Sequence, residues 1–228
     1  MIDEQERFRD RRDAGRQLAE KLSAYANRPD VLVLGLPRGG VPVAYEVAKV
    51  LNAPLDVFLV RKLGVPGHEE LAMGAIASGS VRVLNKNVVQ SLRLSDQTIE
   101  AVAAAEQRTL VRRERVYRGD RPRLAVRDQT VILVDDGLAT GATMRAAVVA
   151  LRQQQPRRIV VAVPVAAPET CDEFRAEVDD IVCAITPPLF YAVGLWYQDF
   201  SQTSDEEVRA LLEHAAQSTT ASTVNHSI

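Results

Sequence analysis

The stretch Val131-Ile132-Leu133-Val134-Asp135-Asp136-Gly137-Leu138-Ala139-Thr140-Gly141-Ala142-Thr143 constrains the fold more than any other part of the chain. Its four aliphatic residues run without alternation, the pattern of a parallel strand covered on both faces. They lead into two carboxylates, then a loop of Gly, Ala and Thr, then the helical sequence MRAAVVALRQQ. The acids therefore fall at the carboxyl end of a central strand, where open α/β sheets bind ligands. The small, hydroxyl-bearing loop lets backbone N–H groups at a helix N-terminus wrap a phosphate. Carboxylates repel phosphate, so a pocket with both suits a molecule with hydroxyls at one end and phosphate at the other. A sugar phosphate fits.

Other strand-acid-loop patterns fit less well. Receiver domains also open on a strand ending in Asp-Asp, but there the pair lies near the N-terminus and an acceptor Asp follows on a later strand. Here the pair lies past the middle of the chain. A P-loop needs Gly-Lys-Ser/Thr, and no Lys occurs between Asp135 and Thr143. A turn that served structure alone would not need two adjacent acids whose charges repel.

The segment resembles the phosphoribosyl-pyrophosphate motif of the type I phosphoribosyltransferases: a hydrophobic strand, two acids, then a T-G-x-T loop. The resemblance implies an α/β fold with a mostly parallel twisted sheet flanked by helices, and a small hood. It implies that Asp135 and Asp136 meet the ribose 2′- and 3′-hydroxyls, while Ala139, Thr140, Gly141, Ala142 and Thr143 hold the 5′-phosphate. Magnesium is the implied cofactor; Asp135 and Asp136 would meet it indirectly, together with the substrate. The implied partners are phosphoribosyl pyrophosphate and a small nitrogen acceptor, a nucleobase-like heterocycle. Ribose 5-phosphate would pass to that acceptor with release of pyrophosphate. The alternative is a non-catalytic protein of the same fold that senses phosphoribosyl pyrophosphate.

Three further segments take roles from the resemblance. Gly35-Leu36-Pro37-Arg38-Gly39-Gly40 follows a buried strand and opens a helix, and its glycines allow close approach of backbone to an anion. Arg38 and Gly39 are thereby expected on pyrophosphate, with a strained or cis peptide nearby. Arg61, Lys62 and the stretch from Leu63 to Glu70 match in position the mobile catalytic loop that closes over pyrophosphate and excludes water. Lys62 and His68 are its candidate charge contacts, although for His68 an ordinary solvated loop is an equal reading. The aromatic run from Pro187 to Tyr197 resembles the hood of hypoxanthine-guanine-type enzymes, and counting back from Gly194 puts Tyr191 in the base-stacking place. Packing of a C-terminal flap is the competing reading of that run.

Two departures bear on the acceptor. The 6-oxopurine enzymes carry an acid at the third loop position after the acid pair, where this chain has Ala139, as in adenine-type enzymes. They also carry a Lys on the strand before the hood, where this chain reads Val160-Val161-Ala162-Val163-Pro164-Val165. Recognition of guanine or hypoxanthine is not implied.

The remaining pattern alternates strands and helices, which indicates a parallel sheet with right-handed crossovers. An N-terminal helical arm is expected over 1–30, with its helix from Phe8 to Tyr25. The core follows over 31–186, with strands at Val31–Leu34 and Leu55–Val60 and others beginning at Val131, Ile159 and Ile181. An insertion over about 81–127 follows a strand pair, Met73–Ser78 and Val81–Leu84, and holds a long helix from Ser95 as N-cap to Tyr117. Hood and C-terminal helix are expected over 187–215, and a disordered tail over 216–228, where Ser and Thr dominate.

At 228 residues and 46% hydrophobic, the chain can build one sizeable α/β domain with a small appendage. A formal charge of −2 argues against a nucleic-acid binder dominated by phosphate contacts. Eight arginines between Arg108 and Arg127 could meet an anionic partner, but a solvated face or ion pairs at a dimer surface is the preferred reading. The N-terminal helix could also form a homodimer surface. Cys171 and Cys183 lack metal-ligand spacing and suit a reducing cytoplasm. His68, His214 and His226 are scattered, which argues against a histidine metal site. No secretion signal or membrane-length apolar run is present, so a cytoplasmic protein is expected.

Overall fold

The structure, a computed structural model, describes residues 7–224. Strands β1 (Val31–Gly35) and β6 (Thr130–Val134) are buried at every position, which is why both read as unbroken apolar runs. With β2 (Leu55–Val57), β7 (Arg158–Val165) and β8 (Asp180–Ile185) they form a parallel sheet of order β2-β1-β6-β7-β8. Gly35 pairs in register with Val134, so β1 and β6 end at the same level and their exit loops face each other. That register brings the two candidate ligand loops together.

Helices cover both faces. On one, α1 (Arg11–Lys21) and α2 (Gly40–Leu51) supply Leu18, Leu22, Val43, Val47 and Leu51 against Val33, Ile132 and Val160. On the other, α5 (Ala142–Arg152) and α6 (Pro168–Glu177) set Met144, Val148, Leu151 and Phe174 against Leu133 and Val161. The N-terminal helix is shorter than its expected span. Asp10 caps it by accepting the Asp13 N–H, Ser23–Tyr25 form a 3-10 turn, and Phe8 lies outside it in an extended bridge to Tyr197.

The segment expected as a mobile loop is largely paired. β3 (Val60–Val65) and β4 (His68–Ala77) form an antiparallel hairpin whose turn is Pro66-Gly67, and β5 (Val81–Leu84) completes a second, three-stranded sheet. The reason is visible in the burial: Leu63, Val65 and Met73 join Val57, Ile99, Leu110 and Leu211 in one apolar cluster. The polar outer residues hid that alternation. The expected strand through Val60 accordingly stops at Val57, and the chain re-pairs from Val60 in the other sheet.

Across the insertion, α3 (Lys86–Ser91) was not foreseen, whereas α4 (Asp96–Arg118) begins as expected, with the Ser95 hydroxyl accepting the Thr98 N–H. The arginine run is only partly solvated. Arg118 is buried; its Nε donates to Asp56 Oδ1 at 2.8 Å and one of its NH groups to the Val57 carbonyl at 2.6 Å. Arg121 donates to the carbonyls of Arg118, Tyr117 and Leu212. These two residues therefore fasten α4 to β2 and to α7 (Asp205–Val224) rather than facing water.

Helix α7 continues through positions 216–224, part of the expected disordered tail, because Val208, Leu211 and Leu212 anchor it and extending a formed helix is easy. Positions 225–228 lie outside the described residues. Cys171 on α6 and Cys183 on β8, read from sequence as suited to a reducing compartment, are brought together as a disulfide. Among the described residues no helix is long and apolar enough to cross a membrane.

Candidate functional site

The acid pair sits where β6 ends. Asp135 Oδ1 accepts the Asp136 backbone N–H at 2.8 Å, and Asp136 Oδ2 accepts the Arg11 Nε–H at 2.8 Å. The exit loop of β1 presses against them. A Cβ on Gly39 would stand 2.0 Å from Asp136 Oδ2, and one on Gly40 would stand 2.8 Å from Asp135 Cα. No side chain fits at either place, so both glycines are required by the approach of the two loops. The Pro37–Arg38 peptide is cis, in line with the expectation for this loop.

The loop from Gly137 to Thr143 turns over the top of the sheet into α5. Gly141 adopts φ +72°, which an L side chain takes only with strain, and a Cβ there would also meet Phe174 at 2.6 Å. Ala139, Thr140, Ala142 and Thr143 are exposed, and the first turn of α5 leaves N–H groups without partners inside the helix. Helix α6 supports this loop from below. The Thr170 hydroxyl donates to the Ala139 carbonyl at 2.6 Å, and Arg145 donates to the Thr140 carbonyl at 2.8 Å while pairing with Glu173 and Glu177. Open amides at a helix start, backed by a fixed carbonyl framework, make an anion cradle.

Burial pushes both acids up in pKa. Asp135 is raised well above the ordinary carboxylate range by burial and then by the neighbouring Asp136 charge. Asp136 is also raised by burial, and Arg11 opposes that rise. Tyr197, which donates to the Asp136 carbonyl at 2.6 Å, is raised by burial and by the Asp136 charge. The described residues contain no group of three or more His, Cys, Asp or Glu that could hold a metal ion. Two neighbouring carboxylates are thus what this site offers a cation, which suits Mg2+ only if substrate oxygens complete its shell.

The other sequence-predicted residues are placed differently. Gly39 joins the acids, but the Arg38 side chain points to Asp205 at 3.9 Å, where Tyr117 also donates. Arg61 pairs with Glu106 on α4 at 2.6 Å, and Lys62 with Glu70 across the hairpin at 3.3 Å. His68 is exposed at the start of β4. Tyr191 is 77% exposed, while Trp196 and Tyr197 are packed with Phe8 and Val165. The aromatic run therefore divides: its end is core packing, and Tyr191 is an exposed ring.

Arg11 was missed by sequence reasoning. It lies in the N-terminal arm, 125 residues from Asp136, within a run of charges that reads as a solvated face. The only local signal was its position directly after the capping Asp10.

The profile of the phosphoribosyl transferase domain matches residues 3–193. Proteins of Mycobacterium tuberculosis strains H37Rv and CDC 1551, provisionally named phosphoribosyl transferases, are 49% identical over 208 residues, 91% of this chain and 47% of theirs. The chain thus spans about half the length of the curated relatives it matches. The crystal structure of TT1426 from Thermus thermophilus is 47% identical, covers 91% of this chain and 98% of its own, and superposes with a TM-score of 0.80. With the profile spanning the acid pair, its loop and both sheets, the chain belongs to the phosphoribosyl transferase domain family.

Proposed function

We propose that the protein is a phosphoribosyltransferase that moves ribose 5-phosphate from phosphoribosyl pyrophosphate to a nitrogen heterocycle. The observation that carries this reading is the wedge of Gly39 and Gly40 against Asp135 and Asp136, directly beside the open loop amides. It sets hydroxyl acceptors and an anion cradle together at the carboxyl ends of β1 and β6, as a sugar carrying phosphate needs. The ribose hydroxyls donate to the free carboxylate oxygens, and the 5′-phosphate accepts from the amides at the start of α5.

The chain's part in the reaction is orientation and electrostatics, so no nucleophilic side chain is required. When bound, Mg2+ would neutralise charge on the leaving pyrophosphate. Lys62 and Arg61 lie on a hairpin anchored by its apolar side, where Lys62 pairs with the exposed Glu70 and Arg61 with the part-buried Glu106. Their side chains can exchange those partners for pyrophosphate while the hairpin backbone stays packed through Leu63, Val65 and Met73. His68, exposed at the start of the second strand of that hairpin, is a further candidate charge contact. Tyr191 offers its uncovered face to a flat acceptor. With Ala139 and an apolar β7, a 6-oxopurine gains no dedicated acid or Lys.

Pyrophosphate release measured with phosphoribosyl pyrophosphate, Mg2+ and a panel of purine, pyrimidine and other heteroaromatic acceptors tests the proposal. Acceptor-dependent release supports it. Tight binding of phosphoribosyl pyrophosphate with no release for any acceptor would favour a sensor, and no binding at millimolar ligand would remove both readings.

A further inference from the structure

We propose that Arg11 is a positioning residue for the ribose: through Asp136 it fixes which carboxylate oxygen faces the sugar. The inference rests on the phosphoribosyl-pyrophosphate reading above and deepens it.

Two segments far apart in sequence, at Asp136 and at Phe200-Ser201, converge on this guanidinium. Its Nε donates to Asp136 Oδ2 at 2.8 Å, one of its NH groups donates to the Ser201 carbonyl at 2.6 Å, and its Cζ lies 4.0 Å from the centre of the Phe200 ring. The side chain is only 12% exposed, and that of Asp136 17%. A cation so enclosed, with its orientation set by a carbonyl and a ring, is a fixed donor rather than a mobile surface charge.

Its effect on Asp136 follows from the crowding. Gly39 fills the space on the Oδ2 side so closely that a Cβ there would stand 2.0 Å from that oxygen and 3.1 Å from Arg11 Nε. Tyr197 holds the Asp136 carbonyl from another side. With Oδ2 bound and its surroundings filled, Oδ1 is the oxygen left to accept a sugar hydroxyl. Remove Arg11, and the carboxylate is free to turn.

A merely structural Arg11 would clip residues 200–201 to the core, and its loss would lower stability without singling out any ligand. The two roles separate when phosphoribosyl pyrophosphate and inorganic pyrophosphate are titrated, each with Mg2+, into wild type, Arg11→Met and Arg11→Lys. Arg11→Met is expected to bind phosphoribosyl pyrophosphate roughly tenfold to a hundredfold more weakly, the scale of a charged hydrogen-bond network lost. Pyrophosphate, which has no ribose, should stay within about twofold, and Arg11→Lys should recover part of the loss. Arg11→Met combined with Asp136→Asn should bind phosphoribosyl pyrophosphate no more weakly than Asp136→Asn alone, because residues that act as a unit are not additive.

Equal losses for both ligands, additive losses in the double variant, or undiminished binding would each overturn the inference. If Arg11→Met does not fold, the same ligand contrast in Arg11→Lys decides, and equal losses there overturn it too. Wild type that binds no phosphoribosyl pyrophosphate defeats the proposed function and this inference together. Wild type that binds, with Arg11 variants unchanged, defeats this inference alone.

Discussion

Asp136 and Lys62 are both charged residues assigned to one substrate, yet the fold holds them in opposite ways. Asp136 is wedged between Gly39, Arg11 and the Tyr197 hydroxyl, with no room for one more carbon atom on the Gly39 side. Lys62 stands on a hairpin and pairs with a fully exposed Glu70. Exposed ion pairs contribute little, about 0–1 kcal/mol, so Lys62 gives up its partner easily. The contrast teaches a division of labour. The groups proposed for the sugar are packed into the fold, whereas the side chains proposed for the leaving pyrophosphate end at the surface, where changing partners is cheap.

The largest effect expected from that contrast is at Gly39. Gly39→Ala drives a methyl group into Asp136, and overpacking of this kind destabilises by about 1–3 kcal/mol. Phosphoribosyl pyrophosphate affinity should fall at least about tenfold with it, since the displaced carboxylate is a proposed ligand group. Melting and titration of one variant measure both, and wild-type values for either would dissolve the coupling between fold and sugar recognition.

Asp136→Asn keeps the shape and removes a charge. Phosphoribosyl pyrophosphate binding should weaken by about 1–3 kcal/mol, with folding little changed because repulsion with Asp135 is relieved. A less stable protein with undiminished affinity would mean that the acid only shapes the turn.

A smaller effect should appear in the pH dependence of stability. Burial and the Asp136 charge raise Asp135, so the folded state keeps a proton that the unfolded chain has already released. The group then favours folding at low pH and loses that contribution as pH rises from the ordinary carboxylate range, about pH 4, through its raised folded value. Asp135→Asn should therefore gain stability over wild type as pH rises toward neutrality, and the gain should shrink near pH ~4. Denaturant unfolding at both pH values checks it; a gain that grows on acidification reverses the sign and refutes the account.

On the hairpin and hood the expected change in stability is smallest. Lys62→Ala and Tyr191→Ala should each unfold within about 0.5 kcal/mol of wild type, as exposed positions do. Turnover should drop for the first, and the KM of the acceptor should rise for the second. Should either variant lose substantial stability, the surface half of the contrast would fail.

The same division governs what could be read from sequence. β1 and β6, the acid pair and the loop into α5 are legible because each owes its character to neighbours along the chain: unbroken apolar runs, adjacent acids, small loop residues. The hairpin was obscured because Leu63, Val65 and Met73 bury themselves against helices of the insertion, while their polar neighbours read as a loop. Arg118 looked solvated because Asp56, its partner, is 62 residues away. Arg11 was hidden for the same reason, one charge among many until the fold selects it. Position-specific meaning that arises only in three dimensions leaves no mark on local pattern.

The bridge between Phe8 and Tyr197 has a consequence for the order in which the protein can be made. Backbone contacts join Phe8 to Trp196 and Gln198, and Arg9 to Asp199, while Arg11 reaches Ser201, 190 residues away. On the ribosome Phe8 and Arg11 emerge before any strand, and Ser201 after all eight. A nascent chain can pair its sheet and bury its acids while its first residues still wait for their partners. Synthesis therefore delivers the sheet early and the completed surroundings of Asp136 only when Ser201 is free.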